Sequence, residues 1–147
     1  EKRKSHLIVE EAYIKNAVQE TQYRTRIDRF TGGGIKTGLF DSTPIWADKE
    51  DTQVTISVDI IDCKDWEAGL MMLLLKDLWL GDLAIGGEKN IGRGVLLGKS
   101  AKISFNGNDY NIKDIDENNL LIEGGKEELE KLVRSFVEKC SCEGVYV

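Results

Sequence analysis

Residues 69–75, Gly-Leu-Met-Met-Leu-Leu-Leu, sit between a helix start signal and a helix stop signal, and they constrain the fold more than any other stretch of the 147-residue chain. Asp62 reads as a cap for a helix running from Lys64 to about Leu80, and Gly81 reads as its end. Such a helix is apolar on several sides, so it is expected to be buried rather than to lie on a surface. It is far shorter than the ~20 apolar residues of a membrane helix, and Lys76 and Asp77 close the run, so no membrane span is expected. The cover must come from elsewhere in the chain, whose length suits about one domain with roughly two-thirds of its unfolded surface buried.

Strand patterns supply that cover. Leu7–Ile14 and Gln22–Arg29 read as strands, the second alternating Tyr23, Thr25 and Ile27 with Arg24, Arg26 and Asp28, which places Arg24 and Arg26 on one face. Thr31–Thr43, with Gly32-Gly33-Gly34 and Gly38, is too rich in glycine for a helix and is expected as a projecting loop or loose hairpin. Gln53–Ile61 and Val95–Phe105 read as further strands. Asn106-Gly107 between Ile103/Phe105 and Tyr110/Ile112 is a hairpin signal, and Leu120–Glu123 is a short third strand. A helix over Lys126–Lys139 carries Leu129, Leu132, Val133, Phe136 and Val137 on one stripe, has Glu127 and Glu128 in its first turn, and is expected to pack on a sheet. The order points to an α+β sandwich of the ferredoxin-like type, β-α-β-β-α-β, with its first β-α pair missing. Either that pair lies upstream of Glu1, which is not Met, or the C-terminal strands and helix complete the layer. A missing first unit implies an open sheet edge and self-association.

Charge narrows the function classes. With 26 acidic and 20 basic residues the net charge is −6, which on average opposes nucleic-acid binding. The charges are segregated, however. Acids gather in Asp48–Asp51 and Asp109–Glu130, whereas Arg24, Arg26, Arg29, Lys36, Lys89, Arg93 and Lys99 flank the two glycine-rich stretches. Cys63, Cys140 and Cys142 are too few and too odd in number for a disulfide framework, which suits a reducing cytoplasm. His6 is the only histidine, so a His-based acid/base pair and a multi-His metal site are excluded; Ser42 and Ser100 lack a histidine partner in the sequence, which argues against a Ser-His-Asp hydrolase, and neither a metal nor a cofactor is expected.

The second glycine-rich stretch, Gly86–Ser100, resembles a phosphate loop without matching a nucleotide cradle. A Walker A loop needs four residues between its first glycine and Gly-Lys-Ser; Gly94 leaves three before Gly98-Lys99-Ser100, and Arg93 stands at the required place. The dinucleotide fingerprint fails too, because Gly92-Arg-Gly94-Val-Leu-Leu-Gly98 has one residue too many and leads from a helix into a strand. What remains is a flexible loop with Lys89 and Arg93, suited to an extended sugar-phosphate chain. The alternative is a plain helix-to-strand connection whose glycines only supply positive φ.

Two segments carry a family resemblance. Gly86-Gly87-Glu-Lys89-Asn-Ile-Gly92-Arg93-Gly94, after an apolar helix and before a core strand, resembles the C-terminal glycine-rich loop of the RAMP superfamily, the RNA-binding proteins of CRISPR effector complexes. Arg26-Ile-Asp28-Arg29-Phe-Thr31-Gly-Gly-Gly34, followed by Gly38-Leu-Phe40, resembles the I-D-R-x-T-G segment of type III backbone subunits. The resemblance covers about residues 7–105 of what is read as a single domain, and residues 106–147 have no counterpart in it.

The resemblance implies an RRM-type sheet with helices on one face and an inserted thumb-like hairpin from about Asp28 to Phe40. It implies that Gly86, Gly87, Lys89, Gly92, Arg93 and Gly94 hold the backbone of a guide RNA, and that Arg29 and Thr31 act at the thumb base. Lys36 joins the thumb; Arg24 and Arg26 are either RNA contacts or a solvated sheet face; Phe30 or Phe40 wedges against a base or joins a core. The implied partners are guide RNA, target RNA and other effector subunits in prokaryotic antiviral defence. Cleaving members use an aspartate in an N-terminal region with no counterpart here; Asp28 and Asp41 do not match it, and Asp28 is expected to pair with Arg26 or Arg29. No catalytic residue is assigned, and the expected role is a non-catalytic subunit; an endoribonuclease whose acid lies outside this chain, for target cleavage or guide processing, is the alternative.

Overall fold

The computed structural model describes residues 5–47, 52–116 and 119–142, so the acidic segment Asp48–Asp51 lies outside the described residues. The chain is α+β and divides into two compact units, Glu1–Ile61 and Asp62–Val147.

The first unit is a nested antiparallel ribbon. β1 (Leu7–Val9) pairs with β6 (Val58–Ile60), Lys15 bridges to Gln53, β2 (Ala17–Gln19) pairs with β5 (Ile45–Ala47), and β3 (Gln22–Ile27) pairs with β4 (Gly34–Ser42). Each pair encloses the next, so one two-stranded arm runs from Leu7/Ile60 to a turn over residues 28–33. Among the arm's described residues only Gly38 is buried. Tyr23, Leu39, Ile27 and Phe30 are 76%, 72%, 64% and 82% exposed.

This arm revises several expected bounds. Of the two forms expected for Thr31–Thr43 the hairpin is the one formed, with Gly34–Ser42 as a full strand against β3, because an exposed ribbon is held by main-chain pairing and needs no apolar alternation. The strand expected over Leu7–Ile14 stops at Val9, and the one expected over Gln53–Ile61 holds only Val58–Ile60 plus the bridge at Gln53. β3 stops at Ile27 because Asp28 turns the chain.

The second unit is a two-layer sandwich. α1 (Asp65–Leu80) is followed by the glycine loop, the antiparallel meander β7 (Ser100–Phe105), β8 (Asn108–Asp116) and β9 (Asn119–Glu123), and α2 (Lys126–Cys142). The β7–β8 turn has Asn106 at φ 50° and Gly107 at φ 81°, both positive as a type I′ turn requires. The pairings Ala101–Ile112, Ile103–Tyr110 and Ile112–Ile122 put one apolar face on the helices. That face meets Ala68 and Trp79 of α1 and Leu129 and Leu132 of α2, with Met72, Leu75 and Phe105 packed around them. The opposite face carries Lys102 and Asp109, an exposed ion pair at 3.3 Å. The helices thus lie on one face of an antiparallel sheet, and the C-terminal strands and helix supply that layer.

Local chemistry sets the helix ends. Asp62, at φ 53°, does not cap α1; the N-cap is Lys64, whose N–H donates to the Glu67 carboxylate at 2.9 Å. Gly81 ends α1 at φ 79°. α2 packs on α1 as well as on the sheet, and they approach closely at Gly69, where a Cβ would collide with the Leu132 carbonyl. The strand expected from Val95 begins only at Ser100, since the Gly98 N–H donates to the Trp79 carbonyl (3.0 Å) and ties the preceding residues to the end of α1.

Candidate nucleic-acid interface

The loop leaving α1 is built around a neck. The Ile85 N–H donates to the Gly94 carbonyl at 2.9 Å, closing a ring of residues 85–94. Gly94, at φ 80°, lies so close that a Cβ there would overlap the Ile85 carbonyl. Inside the ring Gly86 (φ 93°) and Gly92 (φ 81°) take the left-handed conformation, Glu88 takes it at φ 57°, and Lys89–Ile91 form one 3₁₀ turn. A Cβ on Gly86, Gly87 or Gly92 would meet nothing within 4 Å. The chain itself therefore needs no bare backbone at Gly87, which does not take the left-handed conformation.

The two loop cations differ. Lys89 is exposed. The Arg93 side chain is only 16% exposed and pairs through Nη1 with Oε2 of Glu88, itself 34% exposed. The loop thus presents one outward ammonium and one guanidinium held against a carboxylate. Glu88 is a participant that the pattern of glycines and cations concealed; the signal for it was a lone acid between Gly87 and Lys89.

In the arm, the turn at its tip is organised by Asp28. Its Oδ1 accepts the N–H groups of Phe30 (2.8 Å) and Thr31 (2.9 Å), its carbonyl accepts Gly32 N–H and its N–H donates to the Gly33 carbonyl. Those backbone bonds, Thr31 first, hold the Asp28 carboxyl below its ordinary value of 3.8. The expected pairing of Asp28 with Arg26 or Arg29 is thereby replaced: its carboxylate serves the turn. Thr31 also accepts Gly33 N–H through Oγ1 at 3.4 Å.

The arginines of the arm lie on aromatic rings instead. Arg29 sits over Phe30 at 4.7 Å and Arg26 over Phe40 at 5.7 Å. Arg24 pairs in register with Phe40 and donates from Nη2 to Gln22 Oε1 at 3.2 Å. Arg24, Arg26 and Phe40 thus share the neighbourhood that the alternation of β3 implied. Lys36 is exposed in a wide bulge, where the step from Thr25–Leu39 to Ile27–Gly34 leaves three extra residues on β4. Thr37 at φ 68° and Gly38 turn that bulge, and a Cβ on Gly38 would press on the Ile35 carbonyl at 2.8 Å.

Arg24, Arg26, Arg29, Thr31 and Lys36 therefore belong to the first unit, and Gly86, Gly87, Lys89, Gly92, Arg93 and Gly94 to the second. Among the described residues no group of three or more His, Cys, Asp or Glu is placed to hold a metal ion, and no helix is long and apolar enough to cross a membrane.

No curated protein matches the chain. The RAMP superfamily model matches residues 1–96 of 147, a span that takes in the whole arm, α1 and the loop through Gly94. The chain belongs to the RAMP superfamily.

Proposed function

We propose that this chain is a non-catalytic RNA-binding subunit of a type III-like CRISPR ribonucleoprotein, holding guide RNA by its sugar-phosphate backbone in the loop of residues 85–94. The observation that carries the reading is the bare, unobstructed backbone of Gly86, Gly87 and Gly92 beside the exposed Lys89. Glycines with open space over them let a bulky anion approach the main chain, and backbone N–H groups with a cation bind phosphate without reading sequence. Sequence discrimination is then left to base pairing.

The arm supplies the second part of the reading. Its exposed Phe30, backed by Arg29, suits stacking on an unpaired base, and Arg24, Arg26 and Lys36 suit neighbouring phosphates. An exposed ribbon with Tyr23, Ile27 and Leu39 on its surface also suits contacts with other subunits of the assembly. The family match over residues 1–96 crosses from the first compact unit into the second, which supports reading both as parts of one RAMP domain with a thumb-like hairpin over about Asp28–Phe40.

Equilibrium binding of a fluorophore-labelled single-stranded RNA tests the reading. Lys89→Ala combined with Arg93→Ala is expected to weaken binding and to flatten the slope of log K against log salt by up to about 1.4, from ~0.7 per phosphate contact. Equal affinity and equal slope for variant and wild type place the RNA elsewhere and refute the assignment.

A further inference from the structure

The loop contains its own competitor for phosphate. Glu88 holds a left-handed backbone at φ 57°, a conformation that glycine takes at far lower cost, and four of the loop's other positions are glycine. Its carboxylate lies on the Arg93 guanidinium, whose side chain is largely withdrawn from solvent while that of Glu88 is about one-third exposed. Carboxylate and phosphate address a guanidinium through the same planar donor geometry, so they compete for it. We propose that Glu88 is a built-in counter-anion that occupies Arg93 until an RNA phosphate displaces it, lowering the loop's affinity and sparing it from small or isolated anions.

The inference rests on the reading of this loop as the RNA seat. The exchange is one ion pair for another: the phosphate oxygen takes the Arg93 N–H donors, the Glu88 carboxylate returns to water, and no bond is made or broken. Lys89, next to Glu88 in the chain, is exposed, so an incoming strand meets one solvent-facing cation first. A single small anion gains too little there to displace the carboxylate, whereas a polyanion engages Lys89, the glycine N–H groups and Arg93 in succession. Glu88 is thus a positioning residue, acting through Arg93.

The test uses the whole chain and labelled single-stranded poly(U), with Glu88→Gln, Glu88→Gly, and each combined with Arg93→Ala. Glu88→Gln keeps the side-chain length, while Glu88→Gly keeps the left-handed backbone without strain, so loss of folding in one does not remove the other. Both single variants are expected to bind about three- to tenfold more tightly, with a salt slope steeper by up to about 0.7, and to lose that gain when Arg93 is also replaced. Inorganic phosphate is expected to compete better against either Glu88 variant than against wild type. Unchanged or weaker binding by both folded single variants overturns the inference, as does a gain that survives Arg93→Ala. If Lys89→Ala plus Arg93→Ala weakens RNA binding while the Glu88 variants bind no more tightly, this inference alone falls; if that double variant binds like wild type, the RNA seat falls with it.

Discussion

Replacing the loop glycines one at a time by alanine separates those the fold requires from those a ligand requires. Gly94→Ala places a Cβ on the Ile85 carbonyl and forces alanine into a left-handed backbone at φ 80°. The backbone term is about 1–2 kcal/mol and overpacking adds about 1–3 kcal/mol, so the variant is expected to lose roughly 2–5 kcal/mol. Gly92→Ala meets open space and carries only the backbone term, about 1–2 kcal/mol. Gly87→Ala has neither penalty and is expected to stay within about 0.5 kcal/mol of wild type. For a chain of this size about 2–4 °C in Tm accompanies each kcal/mol, so thermal unfolding followed by near-ultraviolet circular dichroism resolves the order 87, 92, 94. RNA binding follows a different order: Gly87→Ala, fully folded, is expected to bind RNA several-fold less tightly because its methyl group stands where the phosphate approaches. A Gly94→Ala variant that melts with wild type refutes the neck, and a Gly87→Ala variant that binds like wild type refutes close approach of a ligand at that residue.

Three further outcomes follow from the geometry. Gly69→Ala pushes the two helices apart at the Leu132 carbonyl and is expected to cost about 1–3 kcal/mol or more in urea unfolding, with the RNA affinity of the folded fraction unchanged. The Asp28 carboxyl is held below 3.8 by the Thr31 and Phe30 N–H groups, so its contribution to the turn is complete above the unfolded value and is lost as pH falls through the lower folded value. Carboxyl titration by NMR is therefore expected to show a midpoint below 3.8, and Asp28→Ala is expected to speed amide exchange at Phe30 and Thr31; a midpoint at or above 3.8 contradicts the turn. Phe30→Ala is expected to leave Tm nearly unchanged, the residue being 82% exposed, and to weaken RNA binding by about 1–3 kcal/mol through lost stacking on a base; undiminished affinity removes Phe30 from the interface.

The sandwich was legible in the sequence because its residues obey local rules that burial enforces. Leu129, Leu132 and Phe136 recur at helical spacing, Asn106-Gly107 admits two positive φ angles in succession, and Gly81 ends α1 where the apolar run stops. The arm was legible only in part, since an exposed ribbon leaves little apolar record: Gly34–Ser42 reads as loop or loose hairpin alike, because its partner is the backbone of Gln22–Ile27 and that pairing depends on register rather than composition. The family resemblance extended from both glycine-rich segments, and the superfamily match over 1–96 spans both. The loop's cations were visible, but the partner of Arg93 was not, because pairing with Glu88 depends on the left-handed turn between them. Asp28 likewise reads as an ion-pair partner because a carboxylate near arginines suggests charge, whereas its position at the first residue of a turn suits main-chain N–H groups.

Amide chemical shifts of the uniformly labelled chain, recorded while single-stranded RNA is added, test the central claim most directly. The account predicts that Gly86, Gly87, Lys89 and Gly92 shift together, saturably, and that Lys102 and Asp109 on the outer sheet face do not. Saturable shifts that leave the ring from Ile85 to Gly94 untouched contradict it.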